Sequence, residues 1–244
     1  MKTALCFSGE LRSIDQCIAG WKEKILPNID SYDSFYFGWE DDPEIDKLHY
    51  LSELNVKSIV LEKRATFKEK MYAIRKRPEV NVQGMLRQLY CLKRSNDLKS
   101  NYEGKNRFIY DCVIRMRPDL LIEPSAEFPN LNFLNVNKLH VFKHDKWFGF
   151  NDRMYFSNSE NMNLLQNRIN ELDQYFLSGG LFHYETFFAA VAQKYGISTE
   201  EHDFRFKLLR ANGSVSYCWE NDSYWSKMWN YPYLGLYPIL KGQA

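Results

Sequence analysis

Short apolar runs alternate with longer amphipathic segments along most of the chain. Residues 3–7 form the first apolar run, and the turn Ser8-Gly9-Glu10 follows it. Behind a candidate N-cap at Ser13, apolar residues recur at helical spacing: Ile14, Cys17, Ile18, Trp21 and Ile25. Short apolar runs are typical of buried strands, and a spacing of three or four residues is typical of a helix face. The start of the chain therefore predicts a strand, a glycine turn and a helix, the opening of a βαβ unit.

The same two patterns continue to residue 209. Further strands are predicted at residues 34–39, 56–61, 108–114, 138–143, 153–156 and 204–209. Helices are predicted at residues 43–54, 82–98, 160–176 and 184–195, and residues 63–80 are predicted to be an irregular surface segment. Strands that alternate with helices predict an α/β, Rossmann-like fold with a mostly parallel sheet and helices on both faces. No internal repeat or linker divides the chain, so we expect a single domain over residues 1–215.

An aromatic-rich extension, residues 216–244, follows this predicted domain. Its rings have no clean period: Tyr217, Trp219, Tyr224, Trp225, Trp229, Tyr231, Tyr233 and Tyr237. Rings in such a segment pack over a core, stack on sugars or form an interface with a partner. We expect the extension to pack on the domain.

The strand predicted at residues 108–114 ends in charged residues. Arg115 and Arg117 stand two apart, so a strand projects both from the same face, and Pro118 then delivers Asp119 in a turn. Burying two guanidiniums and a carboxylate costs on the order of several kcal/mol per ion unless each finds a partner. The cluster indicates either an internal network of ion pairs or a charged ligand, and we favour the ligand.

Unusual residues also follow the first strand. Ligands bind outside the carboxyl ends of the strands in a sheet of this kind. Gly9 allows a close backbone approach and Arg12 favours an anion, so Ser8, Gly9, Glu10 and Arg12 are candidates for binding a phosphate or nucleobase. The chain has neither GxGxxG nor GxxxxGK(S/T), and an ordinary strand-to-helix turn explains Gly9 equally well.

Acidic residues follow the second predicted strand. Glu40, Asp41 and Asp42 offer oxygen ligands of the kind that Mg²⁺ and Mn²⁺ use. A solvated loop ahead of a helix start explains the trio more simply, and we favour that interpretation.

Two later segments supply candidate reactive groups. Asp152 and Arg153 follow an aromatic and glycine segment at residues 147–150, which fits either sugar binding or a surface ion pair beside a hairpin. Glu185 falls in the first turn of a predicted helix, where a carboxylate complements the helix dipole. The same position suits a general base that deprotonates a hydroxyl, with the adjacent His183 as an alternative base. We take Glu185 and Asp152 as the candidate catalytic residues.

The amino-acid composition argues against several classes of protein. The 244 residues are 45% hydrophobic and 16% aromatic, which is enough for a sizeable core. The 32 basic and 31 acidic residues nearly cancel, so the overall charge expected of a nucleic-acid binder is lacking. The five cysteines show no CxxC spacing, so they indicate neither a disulfide framework nor a zinc site.

The apolar runs are short throughout. None approaches the roughly 18 residues of a membrane-spanning helix, and the first is too short for a signal peptide. We therefore expect a cytoplasmic protein with no membrane span that binds small molecules or glycans and no nucleic acid. An oligomer is compatible with this expectation.

The order of these motifs resembles that of GT-A-type glycosyltransferases, specifically a family of small bacterial and viral sugar transferases of surface polysaccharide synthesis. The resemblance rests on residues 7–12 (Phe-Ser-Gly-Glu-Leu-Arg), 110–120 (Tyr-Asp-Cys-Val-Ile-Arg-Met-Arg-Pro-Asp-Leu) and 152–154 (Asp-Arg-Met). It spans about residues 1–210, and the aromatic extension lies outside it.

This resemblance implies a GT-A-like fold and transfer of a sugar from a nucleoside-diphosphate sugar to a hydroxyl of a glycan acceptor. The donor is expected to contact the turn at residues 8–12 and the segment with Arg115, Arg117 and Asp119, with Arg153 nearby. Many relatives hold a metal with Asp-x-Asp, and Arg117 stands where the first carboxylate of that pair is expected. Asp119 is therefore the candidate ligand for Mn²⁺ or Mg²⁺, unless guanidinium charge replaces the cation. Glu185 resembles in position the base of inverting members.

Two other functions fit parts of the sequence. A nucleotidyltransferase acting on sugar phosphates uses a similar sheet, but it typically has a glycine- and lysine-rich phosphate loop near its start, which is missing here. A non-catalytic glycan-binding module uses the aromatic extension as its contact surface and the charged strand only as structure.

Overall fold

A computed structural model describes residues 1–76, 80–146 and 148–216. The strands in these ranges are β1 (Lys2–Ser8), β2 (Ser31–Trp39), β3 (Val56–Glu62), β4 (Cys112–Met116), β5 (Leu120–Ile122), β6 (Leu139–Phe142), β7 (Met154–Ser157), β8 (Thr199–His202), β9 (Phe206–Leu209) and β10 (Val215–Ser216). The α-helices are α1 (Ile14–Lys24), α2 (Val82–Asn106), α3 (Ser159–Gln166), α4 (Leu172–Leu177) and α5 (Tyr184–Lys194). Short 3₁₀ helices cover Leu26–Asn28, Ile45–Leu54, Lys70–Arg75, Leu131–Phe133 and Arg168–Glu171.

Seven strands form the main sheet in the order β3-β2-β1-β4-β7-β6-β8. All of its pairings are parallel except those on either side of β7, so β7 alone runs in the opposite direction. A smaller antiparallel sheet has the order β10-β9-β5. The mostly parallel α/β sheet predicted from the sequence is confirmed.

Side chains of β1 alternate between two cores, one on each face of the main sheet. Leu5 and Phe7 pack against α1 and residues of the smaller sheet, whereas Ala4 and Cys6 pack against α2, α3 and α5. This period of two is the geometry of a strand that is buried on both sides. Helices therefore cover both faces, as predicted, and the described residues form one compact Rossmann-like α/β domain.

Trp21 of α1 anchors one of these cores. Its buried ring stacks on Phe7 with centroids 5.3 Å apart, and its indole N–H donates to the carbonyl of Leu120 over 2.7 Å. The ring thus joins α1 to β1 and to the small sheet. Because the turn at residues 8–12 lies between β1 and α1, this packing also fixes where that turn begins and ends.

The charged strand begins later than predicted. The sequence predicts a strand over residues 108–114, but β4 starts at Cys112 because α2 runs on to Asn106. The backbone N–H groups of Phe108 and Tyr110 then donate to the carbonyl and carboxylate of Glu103, at 3.3 and 2.9 Å. These bonds divert the chain from the sheet until β4 begins.

The helix predicted at residues 160–176 is divided into α3, a 3₁₀ turn and α4. The buried guanidinium of Arg168 donates to the carbonyl of Leu165 over 2.8 Å and to the hydroxyl of Tyr155 over 2.9 Å. The side chain therefore turns back and donates to a carbonyl in the last turn of α3, which stabilises the end of that helix.

Other elements differ in detail from the sequence prediction. Residues 45–54 form a 3₁₀ helix, and the short strands β5, β8 and β10 were not predicted. A strand of two to four residues lacks a periodic signal of its own. The aromatic extension from residue 217 onward lies outside the described residues, so its predicted packing on the domain stays a prediction.

None of the helices in the described part of the chain is both long and apolar enough to cross a bilayer.

Replacing Trp21 by Ala should lower the free energy of unfolding by about 3–5 kcal/mol, because a large buried side chain leaves a cavity and the carbonyl of Leu120 loses its donor. Urea denaturation followed by circular dichroism measures this loss. Phe133→Ala is the matched control, since that ring is 85% exposed, and it should change stability by less than about 0.5 kcal/mol. Equal effects of the two substitutions would contradict the packing described for α1.

Candidate functional site

Charged residues gather along the edge of the main sheet that the ends of its strands form. The carboxyl ends of β1, β2, β3 and β4 lie at this edge, and so does the start of the antiparallel strand β7. The turn at residues 8–12, the acidic loop at 40–42, the segment 117–119 and residues 151–153 therefore meet there. This is the edge at which the sequence places the candidate site.

The turn after β1 is fixed by its neighbours. Gly9 has φ of +104°, a conformation that favours glycine, and its N–H donates to the carbonyl of Phe37 over 3.1 Å. The hydroxyl of Tyr36 donates to the carbonyl of Gly9 over 2.8 Å. The hydroxyl of Ser8 is buried and has no hydrogen-bond partner among the described residues. This leaves a buried donor at the start of the turn.

The acidic loop after β2 is engaged in structural contacts. The two carboxylate oxygens of Asp42 accept from the backbone N–H groups of Leu11 and Glu44, at 2.7 and 3.0 Å. Asp41 accepts from Arg64 over 3.0 Å, and Glu40 is exposed. Asp42 therefore holds the turn after β1 in place, which fits the structural interpretation of the trio better than a cation site.

Asp119 is the centre of the charged cluster. Its carboxylate is 1% exposed and receives two bonds from Arg117, from Nε to Oδ1 and from Nη2 to Oδ2, each 2.8 Å long. Arg12 donates from Nη1 to Oδ2 over 2.7 Å. Burial alone would raise the pKa of Asp119, but the two guanidiniums outweigh it and hold the pKa well below the ordinary value.

These bonds bear on the predicted metal role of Asp119. Both of its oxygens already accept from guanidiniums, so a cation would have to compete with positive charge at contact distance. The sequence raises two possibilities, a metal ion on Asp119 or guanidinium charge in its place, and these bonds bring the guanidinium charge of Arg12 and Arg117 to the carboxylate.

Arg210, just after β9, is a member of the cluster that sequence reasoning missed. Its Nη1 lies 3.9 Å from Oδ2 of Asp119, an oxygen that Arg12 and Arg117 already contact, and its side chain is 41% exposed. Burial, followed by the positive charges of Arg117 and Arg12, lowers the pKa of Arg210. A guanidinium held beside two others in this way would be stabilised by an additional anion.

Glu10 links the turn after β1 to Arg64, which follows β3. It accepts from Arg12 over 3.2 Å and from Arg64 over 2.7 Å. Burial raises the pKa of Glu10, but the charges and hydrogen bonds of these two arginines outweigh it, so the pKa lies below its ordinary value. Glu10 therefore acts in this structure as a spacer between guanidiniums.

Arg115 lies beneath the site and not in it. The sequence predicts that it projects beside Arg117, but β4 ends at Met116, so Arg117 leaves the strand while Arg115 stays inside. Arg115 is 1% exposed and donates to the carbonyls of Asp152 and Arg153, and burial lowers its pKa to about 10. Its position suits a residue that supports the loop before β7 better than one that contacts a sugar donor.

The predicted catalytic carboxylates, Asp152 and Glu185, lie close enough to influence each other. Asp152 is buried and accepts from the side-chain amide of Gln88, while Arg153 pairs with Asp145. Oε2 of Glu185 lies 3.3 Å from Nε2 of His183. Burial, and next the charge of Asp152, raise the pKa of Glu185 well above its ordinary value. The charge of Asp152 thus helps to raise the pKa of a second buried carboxyl group, a pattern that acid-base sites share with structural networks of charged residues.

The sequence contained weak signals for the residues that were missed. Arg210 follows a predicted strand in the same way as Arg117, and Arg64 follows the third strand. Nothing in a single sequence shows that Leu209 donates to the carbonyl of Asp119 over 2.9 Å, the bond that brings residue 210 to the cluster.

Compared with known proteins, the chain matches no protein-family model and no curated protein sequence.

Asp119→Asn should lower the free energy of unfolding by about 2–4 kcal/mol at pH 7, because it leaves partly buried guanidiniums without their carboxylate. The depressed pKa of Asp119 means that its contribution is complete above the ordinary pKa of 3.8 and is lost as the pH falls towards the folded-state value. The gap between wild type and variant should therefore be constant at pH 5–7 and narrow below about pH 4. Urea denaturation across this range measures it.

The control for this prediction is Asp203→Asn, since Asp203 is exposed beside Arg205. It should change stability little at any pH. A gap for Asp119→Asn that is no larger than the control's would show that the guanidiniums do not depend on this carboxylate.

Glu185→Gln should make the protein more stable than wild type at neutral pH. The raised pKa means that wild-type Glu185 favours folding only while it is protonated, so its contribution is lost as the pH rises above 4.5. The advantage of the variant should be small at pH 4.5 and grow by up to about 1.4 kcal/mol per pH unit until the folded-state pKa is reached. Glu160→Gln, at an exposed first-turn position of α3, should show no such trend. A flat difference for Glu185→Gln would rule out a raised pKa.

Proposed function

We propose that the protein is a GT-A-like glycosyltransferase that transfers a sugar from a nucleoside-diphosphate sugar to a hydroxyl of a glycan. The supporting observation is the crowding of Arg12, Arg117 and Arg210 around one buried carboxylate at the ligand-binding edge of a Rossmann-like sheet. Parts of these guanidiniums remain accessible, with side chains 26%, 18% and 41% exposed. A bound diphosphate would supply negative charge to these guanidiniums.

Charge in the wider cluster supports an anionic ligand. The guanidiniums of Arg12, Arg64, Arg117 and Arg210 face the carboxylates of Glu10, Asp41 and Asp119. In these ion pairs four guanidiniums share three carboxylates. Guanidiniums bind phosphate oxygens through paired N–H donors, so they suit a diphosphate better than a neutral sugar.

In the proposed reaction the arginine cluster binds the leaving diphosphate, and Glu185 accepts a proton from the acceptor. The bond between the anomeric carbon and the diphosphate oxygen breaks, and the diphosphate keeps the electron pair. The arginines stabilise the charge that develops on this leaving group. The acceptor oxygen forms the new bond to the anomeric carbon, and its proton passes to Glu185.

The raised pKa of Glu185 suits a general base, but only at a pH at which Glu185 has lost its own proton. A carboxylate that binds protons more tightly is a stronger base, but it accepts a proton only after it has lost its own. The transfer rate should therefore increase with pH over a range that lies above that of an ordinary carboxyl group. Asp152, which contributes to the raised pKa, is proposed to position the acceptor through its contact with the sugar hydroxyls.

In this proposal guanidinium charge serves the diphosphate directly, because both oxygens of Asp119 are already bonded. A Mn²⁺ or Mg²⁺ ion bound with the donor is the alternative, and activity measured with and without EDTA separates the two. The proposal places the reaction in the cytoplasm, with a nucleotide-sugar and a glycan as partners and no nucleic acid.

The direct test is thermal unfolding with a panel of nucleoside diphosphates, nucleoside triphosphates, sugar phosphates and free glycans. One nucleoside diphosphate, and the matching nucleotide-sugar, should raise the melting temperature. Stabilisation by a triphosphate together with a sugar phosphate would favour the nucleotidyltransferase instead, and stabilisation by free glycans alone would favour a binding module. Each of those two results would overturn the proposal.

Arg210→Ala should weaken binding of that nucleoside diphosphate by about 10- to 100-fold, because one charge-assisted contact is lost. Arg117→Ala should lower turnover on the order of 10²- to 10³-fold. Arg205→Ala is the matched control, since Arg205 is exposed in the same region of the chain and pairs with Asp203. Titration calorimetry and a transfer assay measure the two effects. Wild-type affinity in folded Arg210→Ala would exclude its guanidinium from the diphosphate site.

A further inference from the structure

A second cluster of possible ligands lies between β6 and β8. His140 of β6 stands beside Glu200 of β8 in the parallel register, and His202 is two residues further along β8. One ligand atom from each of the three side chains lies within 4.8 Å of the other two. In a strand, residues two apart share a face, so Glu200 and His202 point to the same side of the sheet. The proposed transfer reaction uses none of these residues.

The hydrogen bonds of His140 define the state of both imidazoles. Nε2 of His140 lies 3.0 Å from the carbonyl of Asn135, which can only accept, so Nε2 carries the proton. Nδ1 of neutral His140 is then an acceptor, and it lies 2.8 Å from Nε2 of His202, which must donate. A lone pair on His140 therefore points towards the second histidine, and the backbone carbonyl fixes the direction of that lone pair. A carbonyl behind the ring is the usual support of a histidine that binds a metal.

Packing holds His140 in this orientation. Its ring is fully buried and stacks on Phe156 with centroids 4.5 Å apart and an interplanar angle of 4°. The stacked and buried ring therefore keeps Nδ1 of His140 directed at Nε2 of His202.

Glu200 completes the cluster with one oxygen. Its Oε2 lies 3.1 Å from the ammonium group of Lys138, and its Oε1 faces Nε2 of His202 at 4.0 Å. Lys138 thus orients the carboxylate while leaving one oxygen directed at the histidines. Lys138 and Lys143 also place positive charge near the rings, which limits the affinity for any cation.

We propose that His140, His202 and Glu200 form a binding site for a divalent transition metal of the Zn²⁺ class. Two imidazoles and a carboxylate are a donor set that Zn²⁺ accepts, with water in the fourth position. Zn–N bonds of about 2.0–2.1 Å in a tetrahedral arrangement need roughly 3.3 Å between the two nitrogens. The present 2.8 Å must therefore widen by about half an ångström, and His202, 15% exposed on the edge strand, is the side chain that can move.

Binding would exchange a hydrogen bond for coordination. His202 no longer donates to His140, because its ring proton moves from Nε2 to Nδ1 of the same ring. Nδ1 of His140 and Nε2 of His202 then both present lone pairs to the ion. The ion then joins β6 to β8, the last strand of the main sheet. A bound ion should therefore stabilise this edge of the fold.

The test titrates ZnCl₂ into tag-free, chelator-treated protein by calorimetry, with thermal unfolding in parallel. Wild type should bind one equivalent at this site and melt at a higher temperature with Zn²⁺. His202→Ala and Glu200→Gln should each weaken binding by about tenfold or more and remove the shift. These two side chains are partly exposed, so the variants are preferred to a change at buried His140.

Two controls are matched to these variants. Glu201→Gln changes the next residue of β8, which pairs with Lys146 on the other face, and His49→Ala removes a histidine outside the cluster. Both should bind Zn²⁺ as wild type does. Absence of binding to folded wild type would overturn the proposal, and so would unchanged binding in His202→Ala. Neither result bears on the nucleotide test, because the two sites share no residue.

Discussion

A buried carboxylate surrounded by guanidiniums is the constraint on which the site depends. Asp119 is almost fully removed from water, and an isolated carboxylate in that position would bind a proton instead of keeping its charge. Arg117 and Arg12 keep it ionised, but each is itself costly to bury. Arg210 adds a further positive group without a carboxylate of its own among the described residues. The charges of this cluster are therefore balanced best when an anion binds to it. The proposed diphosphate would be that anion.

The fold supplies this cluster by bringing distant parts of the chain to one edge. Parallel pairing of β1 with β2 and β4 places the ends of these strands side by side, and β7 enters from the same edge. Asp42 and the φ of Gly9 fix the turn that carries Arg12, while the small sheet carries Asp119 and Arg210 to a common point. The same edge thus combines a rigid backbone with long cationic side chains. Phosphate recognition needs this combination, because the donors must be positioned before the ligand arrives.

The parts of the fold that were predictable have strong local signals. The first strand, the glycine turn and α1 follow from the spacing of residues 3–25. The ion pair of Arg117 with Asp119 was one of two possibilities at that segment, and we favoured the other, a charged ligand. Arg115 shows the limit of such predictions. It was predicted to project beside Arg117 on the assumption that the strand continues to residue 117, but β4 ends at Met116. Arg210 shows another limit, since the bond from Leu209 to Asp119 joins positions far apart in the chain. His140, Glu200 and His202 became neighbours only through β8, a strand too short to predict.

The most direct test of this account is a crystal structure of the protein with the nucleoside diphosphate that stabilises it most. The account predicts phosphate oxygens within hydrogen-bonding distance of the guanidiniums of Arg117 and Arg210, with Asp119 still paired to Arg117. A diphosphate bound away from this edge, with Arg210 in contact only with protein groups or water, would contradict the account.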